Sequence, residues 1–473
     1  MSTTKSNISM SSDATPQDMG VTPPTVGDEG QLSITGLAAG GRGVARDSSG
    51  RVWFVRGGIP GDRVVARVTK IRPRSGEAEA LRRLEDGPGR RDPICRIQDR
   101  CGGCPWMVLD ESAQADAKTT LVRDALERVG RLREPAIEPL RPGDPGLGYR
   151  SRIELTFSPH RRGNQLGFRR GGSGSLVDAP RCEIFEPAGD RLLQTVRELL
   201  HCDGRSTQSE RKVPEDAPRI TLRSFDGGTA FAVTLRVQKK RIPDAEGFAK
   251  ALVERLPEVR GVVELTLHPG GRSIVKRRTL AGDATVSQTM AGVSFELPID
   301  AFQQVHVQAA EALMQEAIAE MQVKPGQRWW DLYGGAGVYG MAAVRDGAAE
   351  AVVCEIDRGL VEAGRNAASG SGLEGVTFVA DDVLRFLHAA QDGATLDGVV
   401  VNPPRGGLGR EGVAALVARR PRRWIWISCD PVTFARDLKD ALAAGYVLRR
   451  LVPFDLFPQT AHVETLAVLE ASG

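Results

Sequence analysis

The sequence predicts a multidomain chain: a small basic OB-like β-barrel, a central α+β domain and a C-terminal doubly wound α/β domain. Three observations carry this. From residue 301, apolar strand-like runs alternate with helical stretches. Residues 31–88 hold short β-rich runs split by Gly-Gly, Ser-Gly and Pro-Gly turn signals. Between them, strands outnumber helices. The expected boundaries are a tail over 1–30, the barrel over 31–88, the central domain over 89–300 and the α/β domain over 301–473.

Each part has its own signature. Residues 1–30 are polar, rich in Ser, Thr and Pro, and lack periodicity, so a disordered tail is expected. Residues 31–91 hold thirteen Lys or Arg against six acids, a surplus that points to nucleic acid. The bland reading is a solvated Arg-rich surface. A helix is expected near Ser112–Val129, then strands such as "RIELTF", "TAFAVTLRV" and "GVVELTLHP". "VQAAEALMQEAIAEMQ" is amphipathic, with Leu313, Met314, Ala317, Ile318 and Met321 on one face. Strands then follow in "RWWDLYGG", "AVVCEID", "VTFVADD", "DGVVVNPP" and "WIWISCD". Of 473 residues 41% are hydrophobic and 26% charged, as in soluble globular proteins. No apolar run is long enough to span a bilayer and no leader is visible, so a cytoplasmic protein without membrane contact is expected.

The candidate chemistry lies at strand ends of the α/β domain. In "WWDLYGGAGVYG", Asp331 ends a strand, and Gly334, Gly335 and Gly337 let backbone approach a ligand closely. Glu355 ends the next strand, where an acid grips ribose hydroxyls. That pairing suits NAD or S-adenosylmethionine (SAM). In "VVVNPPRGGLG", adjacent prolines after Asn402 form a rigid rim suited to a planar base. Cys429 follows "WIWIS" and precedes Pro431, so it is either a buried small hydrophobe or a thiolate nucleophile. "FDLFPQTAHVETLAVLE" brings Asp455, His462 and Glu464 before the last strand. A thiol, a carboxylate base and a SAM pocket suit methylation at a pyrimidine carbon. C5 of uracil is a poor nucleophile until a thiolate adds at C6. Glu464 is preferred as base, with His462 as a hydrogen-bonding partner.

Cys95, Cys101 and Cys104 have the spacing C-x5-C-x2-C, and Cys182 is a fourth candidate. Such thiolates bind zinc or an iron–sulfur cluster, and their chemistry alone does not separate the two.

Four ordered motifs resemble one family, the SAM-dependent RNA uracil-5-methyltransferases, particularly the bacterial 23S rRNA type. "DLYGGAG" is similar to that family's DLYCGxG, "NPPRGGL" to DPPRxGL, "SCDPVTFARDL" to SCNPxTLARDL, and FPQTAHVE to FPxTxHVE. The resemblance implies Cys429 as nucleophile and Glu464 as proton-abstracting base, with Arg405 and Asn402 lining the pocket. It implies SAM contacts at Tyr333, Gly335, Glu355 and Asp382, with Asp381 adjacent, beside the loop residues Asp331 and Gly337, and a contact to SAM or to the target base at Gln304. It also implies a [4Fe-4S] cluster on the four cysteines and a TRAM barrel that binds RNA. Together barrel and cysteines favour 23S rRNA over tRNA as partner, and a monomer is expected. Arg150, Arg152, Arg161, Arg162, Arg169 and Arg170 are further RNA candidates, with Tyr149 and Phe168 either stacking on bases or filling the core. Four departures stand out: Gly334 for Cys, His306 for Asn, Asn402 for Asp and Asp430 for Asn. The rival readings are an amino-group methyltransferase, a tRNA uracil-5-methyltransferase and a non-catalytic RNA-binding or assembly factor.

Overall fold

The computed structural model describes residues 18–19, 23–159, 163–170, 173–202, 211–271, 273–390 and 396–472. Arg161, Arg162 and most of the expected tail lie outside these residues. The chain forms two compact units, Met1–Arg91 and Asp92–Gly473.

The first unit is a closed five-stranded barrel: β1 (Glu29–Leu37), β2 (Gly43–Arg46), β3 (Val52–Arg56), β4 (Arg63–Ile71) and β5 (Ser75–Glu85), in the order β1-β2-β3-β5-β4. Alternation sends Leu32, Ile34, Trp53, Val55, Val64 and Val68 inward. Gly76 makes room for the large member of that core, since a Cβ there would lie 2.2 Å from the Trp53 ring. Trp53 Nε1 donates to Asp47 at 2.9 Å, and Asp62 is buried against Arg90.

The second unit begins with the cysteine-bearing segment and α1 (Glu111–Arg128). A central sheet follows: β6 (Arg152–Ser158), β7 (Gln165–Arg169), β8 (Ser175–Asp178), β9 (Arg211–Lys212), β10 (Arg219–Phe225), β11 (Ala230–Val237), β12 (Val259–Leu267) and β13 (Ile274–Gly282). Its order is β13-β12-β11-β10-β6-β7-β8-β9. It is antiparallel except at β11–β12, where α3 (Ala245–Arg255) makes the crossover that parallel strands require. That helix and α2 (Gly189–Leu199) pack on one face, against Leu155, Phe157, Leu222 and Val233. The hairpin β14 (Thr285–Met290) and β15 (Val293–Pro298) leads to the last layer.

There, helices α4 (Val307–Met321), α5 (Val338–Arg345), α6 (Arg358–Gly370), α7 (Val383–Ala389), α8 (Gly409–Arg419) and α9 (Pro431–Ala443) surround a seven-stranded sheet. Its strands are β16 (Arg328–Leu332), β17 (Glu350–Glu355), β18 (Val376–Ala380), β19 (Gly398–Val401), β20 (Arg423–Ser428), β21 (Tyr446–Phe454) and β22 (Glu464–Ala471). The order β18-β17-β16-β19-β20-β22-β21 confirms the expected doubly wound domain. β16 to β20 are parallel, and β22 inserts antiparallel between β20 and β21. Helices cover both faces, which is why Trp424 to Ser428 read as a continuous buried run. Strand order reverses between β16 and β19, so the crevice for a ligand opens at their carboxyl ends. Among the described residues no helix is long and apolar enough to cross a membrane.

α1 packs on the last layer, against α9 and the edge strand β21. Gln114, Lys118, Val122 and Ala125 form its buried stripe, two of them polar. The Lys118 ammonium pairs with the Asp455 carboxylate and donates to the Phe457 carbonyl at 3.1 Å. Gln114 Nε2 donates to Gln459 Oε1 at 2.9 Å, and Gln459 N–H donates back to Gln114 Oε1 at 2.8 Å. Removing one member of a buried ion pair strands the other's charge. Lys118→Met is therefore expected to cost about 3–5 kcal/mol in urea unfolding. Adding Asp455→Asn should restore most of that loss.

Candidate active site at the strand ends

Cys429 sits where β20 ends and α9 begins. Asp430 is the N-cap of α9: its Oδ1 accepts from Val432 N–H at 2.9 Å and Thr433 N–H at 3.0 Å, and Pro431 occupies the first turn. An Asn could make the same cap, so the extra charge at 430 rests on the positive end of a helix. Across the ladder, Ser428 pairs with Thr465. One step further along the same register sets Cys429 beside Glu464, the first residue of β22.

The two groups feel each other. Glu464 is buried, with Oε2 unpartnered, and burial pushes its carboxyl up to about 7 against the pull of Arg405. Burial also pushes the Cys429 thiol up, to about 11; the Glu464 carboxylate adds to this, Arg405 opposes it, and Asp430 contributes least. Two anions here disfavour one another, so the pair favours a single negative charge under the Arg405 guanidinium.

The rim loop "NPPRGGLG" is latched to α9. Thr433 Oγ1 donates to the Arg405 carbonyl at 3.0 Å, and Arg436 Nη2 to the Gly406 carbonyl at 2.9 Å. Buried Asp437 accepts from Gly409 N–H at 3.0 Å. Gly407 has φ +73°, and a Cβ there would lie 2.3 Å from Asp437 Oδ2. Asn402 follows β19, and its N–H donates to the Leu332 carbonyl at 3.2 Å, which ties the rim to β16. Arg405 reaches His462, with Nη2 3.2 Å from Nε2. Burial, then Arg405, Lys118 and Arg150, pull His462 down to about 4. It is therefore neutral near pH 7, which suits an orienting partner of Arg405.

The glycine loop after β16 takes left-handed backbone at two glycines and also at Tyr333, which its sequence does not announce. Tyr333, Gly335 and Gly337 take φ of +57°, +59° and +83°. Gly334 leaves no space for a side chain: a Cβ would lie 2.7 Å from Val353 Cγ1 and 2.8 Å from the Asp331 carboxyl carbon. Asp331 Oδ2 accepts from Gly340 N–H at 3.0 Å, whereas Oδ1 is buried without a partner. Burial lifts this carboxyl to about 7. Glu355 accepts from Gly335 N–H at 3.0 Å and from Asp357 N–H at 2.9 Å. Asp382 caps α7 through Leu384 N–H at 3.0 Å, and Asp381 pairs with Arg385 at 2.7 Å. An orphaned acid oxygen, positive-φ glycines and an acid at the next strand end fit a nucleoside-bearing cofactor such as SAM. Gln304 lies in the half-buried segment before α4, whose N-cap is His306.

Several contributors escaped the sequence reading. Gln114 and Lys118 hold the turn 455–460 that leads into His462 and Glu464. Their signal was two polar residues, four apart, on the buried stripe of α1. Tyr149 belongs to the core rather than to base stacking: it is buried, donates to the Pro458 carbonyl at 3.1 Å and stacks on His306 at 4.8 Å. Phe168 is half-buried and packs against the central core.

Cys95, Cys101, Cys104 and Cys182 line one small pocket with Met107 and Phe168. Burial pushes Cys182 up to about 11, with Cys101 and Cys95 adding to it. Cys104 is raised by burial and then by Cys182 and Cys101. The thiols thus converge, although among the described residues no group of three or more His, Cys, Asp or Glu takes up a metal-holding arrangement. The cysteine segment also touches the turn that leads into Glu464, for Trp106 N–H donates to the Gln459 carbonyl at 3.0 Å.

Comparison with known proteins gives a consistent picture. Residues 23–81 match the family described as TRAM domain, and residues 249–472 match tRNA (Uracil-5-)-methyltransferase. An uncharacterized RNA methyltransferase of Gloeobacter violaceus is 33% identical over 445 residues, covering 93% of this chain and 96% of that protein. One from Nitratidesulfovibrio vulgaris is 31% identical over 452 residues, covering 93% and 95%. Among solved structures, the Pyrococcus abyssi tRNA (uracil-54, C5)-methyltransferase bound to S-adenosyl-L-homocysteine shares the fold. It has a TM-score of 0.71 at 22% identity, covering 93% of this chain and 99% of that one.

The raised carboxyl of Glu464 has a consequence for stability. Unfolded glutamate ionises near pH 4.5, whereas the folded group holds its proton to about pH 7. The stability it contributes is therefore full below the unfolded value and is lost as pH rises through the folded one. Between pH 4.5 and pH 8 the parent should lose roughly 3 kcal/mol more than Glu464→Gln in denaturant unfolding.

Proposed function

Because the chain belongs to the SAM-dependent RNA (uracil-5-)-methyltransferases that carry a TRAM domain, we propose that it methylates C5 of one uridine in 23S rRNA. The observation that carries this reading is the register of β20 and β22, which sets a thiol and a buried carboxyl side by side at the mouth of the crevice. A target uridine must leave its stack to reach them, so loops or single strands are the substrate. The enzyme would act in the cytoplasm as a monomer.

In this reading the Cys429 thiol yields its proton to the Glu464 carboxylate, the more readily ionised of the two, as the sulfur adds to C6 of the uracil, and the displaced electron pair moves to the C4 carbonyl as an enolate. SAM, when bound, supplies the methyl group that C5 takes up. Gln304, Tyr333, Gly335, Gly337, Glu355, Asp382 and Asn402 are the residues to hold it, with Asp331 bracing their loop. Adduct formation consumes the thiolate charge, so Glu464 passes its proton to water and ionises. Its carboxylate then removes the C5 proton, the C5–C6 double bond re-forms, and the Cys429 sulfur leaves. Arg405, oriented by His462, offsets the negative charge carried in turn by sulfur, enolate and carboxylate.

The four converging thiols support a [4Fe-4S] cluster as a structural tie between the cysteine segment and the strand around Cys182. Such a tie would brace Trp106 and, through it, the Gln459 turn. Anaerobically purified protein should contain iron and acid-labile sulfide, with visible absorption that Cys104→Ser removes. Zinc without sulfide would overturn this part alone.

A tRNA target is the second reading. Its support is the Pyrococcus abyssi fold, which shares this architecture and acts on tRNA uracil-54. Incubating the protein with SAM and unmodified 23S rRNA or tRNA, then mapping 5-methyluridine by mass spectrometry, separates the two. A single 23S uridine methylated by the parent and not by Cys429→Ala is the expected result. Glu464→Gln should stall after methyl transfer and accumulate a protein–RNA adduct resistant to denaturant. Methylation of tRNA alone would overturn the 23S assignment and keep the chemistry.

A further inference from the structure

Five arginines share one face of the central sheet. Arg152 pairs across the ladder with Arg223, and Arg219 with Arg236, so these side chains point the same way. Arg150 extends β6 with the same parity. The opposite face is the apolar one that holds α2 and α3. On the arginine face Glu154 lies 3.0 Å from Arg219 and 3.8 Å from Arg236. Asp300, beside this face, pairs with Arg277 at 2.9 Å.

Arg223 is a structural member, since its guanidinium donates to the Ile299 and Ala301 carbonyls at 2.9 and 2.6 Å. Arg150 is held in part by the Tyr149 hydroxyl, whereas Arg152 and Arg236 have Glu154 as their carboxylate. The Nε atoms of Arg150 and Arg236 are buried without a hydrogen-bond partner. Burial pulls Arg152 below the usual guanidinium range; Glu154 opposes this, and Arg236 and Arg150 deepen it. Half-buried like charges with one shared carboxylate form an unfinished network, which an anion completes. Bidentate guanidiniums suit phosphate oxygens.

The location says which anion. Ser151 N–H donates to the Val305 carbonyl at 2.8 Å, one residue from Gln304, so the face begins at the edge of the catalytic pocket. Arg150 is also close enough to His462 to help hold it neutral. At its other end the face opens on a cleft of about 630 Å3, where Arg169, Arg219 and Lys239 stand beside the carboxyls of Glu154, Glu215 and Asp216. We propose that Arg150, Arg152 and Arg236 hold backbone phosphates of the RNA strand flanking the flipped uridine, which then runs toward the Arg219–Lys239 cleft. This rests on the RNA-methyltransferase reading above and adds a path for the strand. Backbone contacts of this kind set position and register rather than sequence.

The test uses the full chain and a fluorescent single-stranded RNA of about twenty nucleotides. Arg152→Gln and Arg236→Gln should each weaken binding on the order of tenfold. The slope of log affinity against log salt should become shallower by about 0.7 for each phosphate no longer neutralised. Arg152→Lys, which keeps the charge, should retain the parent's slope. The proposal is overturned if the double Gln variant, with the parent's unfolding midpoint, keeps the parent's affinity and slope. Weaker binding with an unchanged slope overturns it too, because it marks a structural loss. Failure of the underlying reading looks different: the parent itself then forms no 5-methyluridine in 23S rRNA or tRNA.

Discussion

The antiparallel insertion of β22 beside β20 is the constraint on which the site depends. A parallel sheet alone presents its strand ends as separate points, each followed by its own loop. Here the last strand enters from the opposite direction, and its first residue meets the end of β20. Cross-strand geometry then sets the separation of the Cys429 thiol and the Glu464 carboxyl. The same burial that fixes them raises both of their proton affinities, so the pair favours one shared negative charge.

That register needs the turn before β22 to be held, and the holding groups come from far away in sequence. Lys118 and Gln114 approach residues 455–459 across more than three hundred intervening positions. A buried ion pair contributes little net stability when complete, yet its loss is costly. Its value here is specificity of position: Asp455, Phe457 and Gln459 each receive a directed bond, and His462 and Glu464 inherit the placement. The rim loop is served in the same way by Asp437 and Thr433 of α9, the helix that starts beside Cys429.

Much of this could be read from the sequence because the relevant signals are local. Strand-helix alternation gave the C-terminal domain, and glycine spacing gave the close-approach loop after Asp331, though not the left-handed backbone at Tyr333. The apolar run "WIWIS" placed Cys429 at a strand end. The barrel was legible through its turn signals, although the Trp53–Gly76 fit that fills it was not. What escaped were pairings between distant segments. Nothing near Lys118 announces Asp455, and a lysine on a helix reads as solvated unless its stripe is traced. The strand order of the central sheet escaped for the same reason, and with it the single face that gathers Arg150, Arg152 and Arg236. Tyr149 could not be assigned to core or surface until the Pro458 carbonyl and His306 stood against it.

The distance between Lys118 and Asp455 along the chain also has a bearing on synthesis. A ribosome makes α1 long before the turn that neutralises it, so the helix emerges with an ammonium on its buried stripe and no partner for 337 residues. Until then the stripe is poorly suited to burial, and α1 cannot settle onto a sheet whose closing strands do not yet exist. Glu464, His462 and the clamp for α1 all arrive in the same late segment. The Cys429 thiol and the Glu464 carboxyl therefore first meet when the clamp closes.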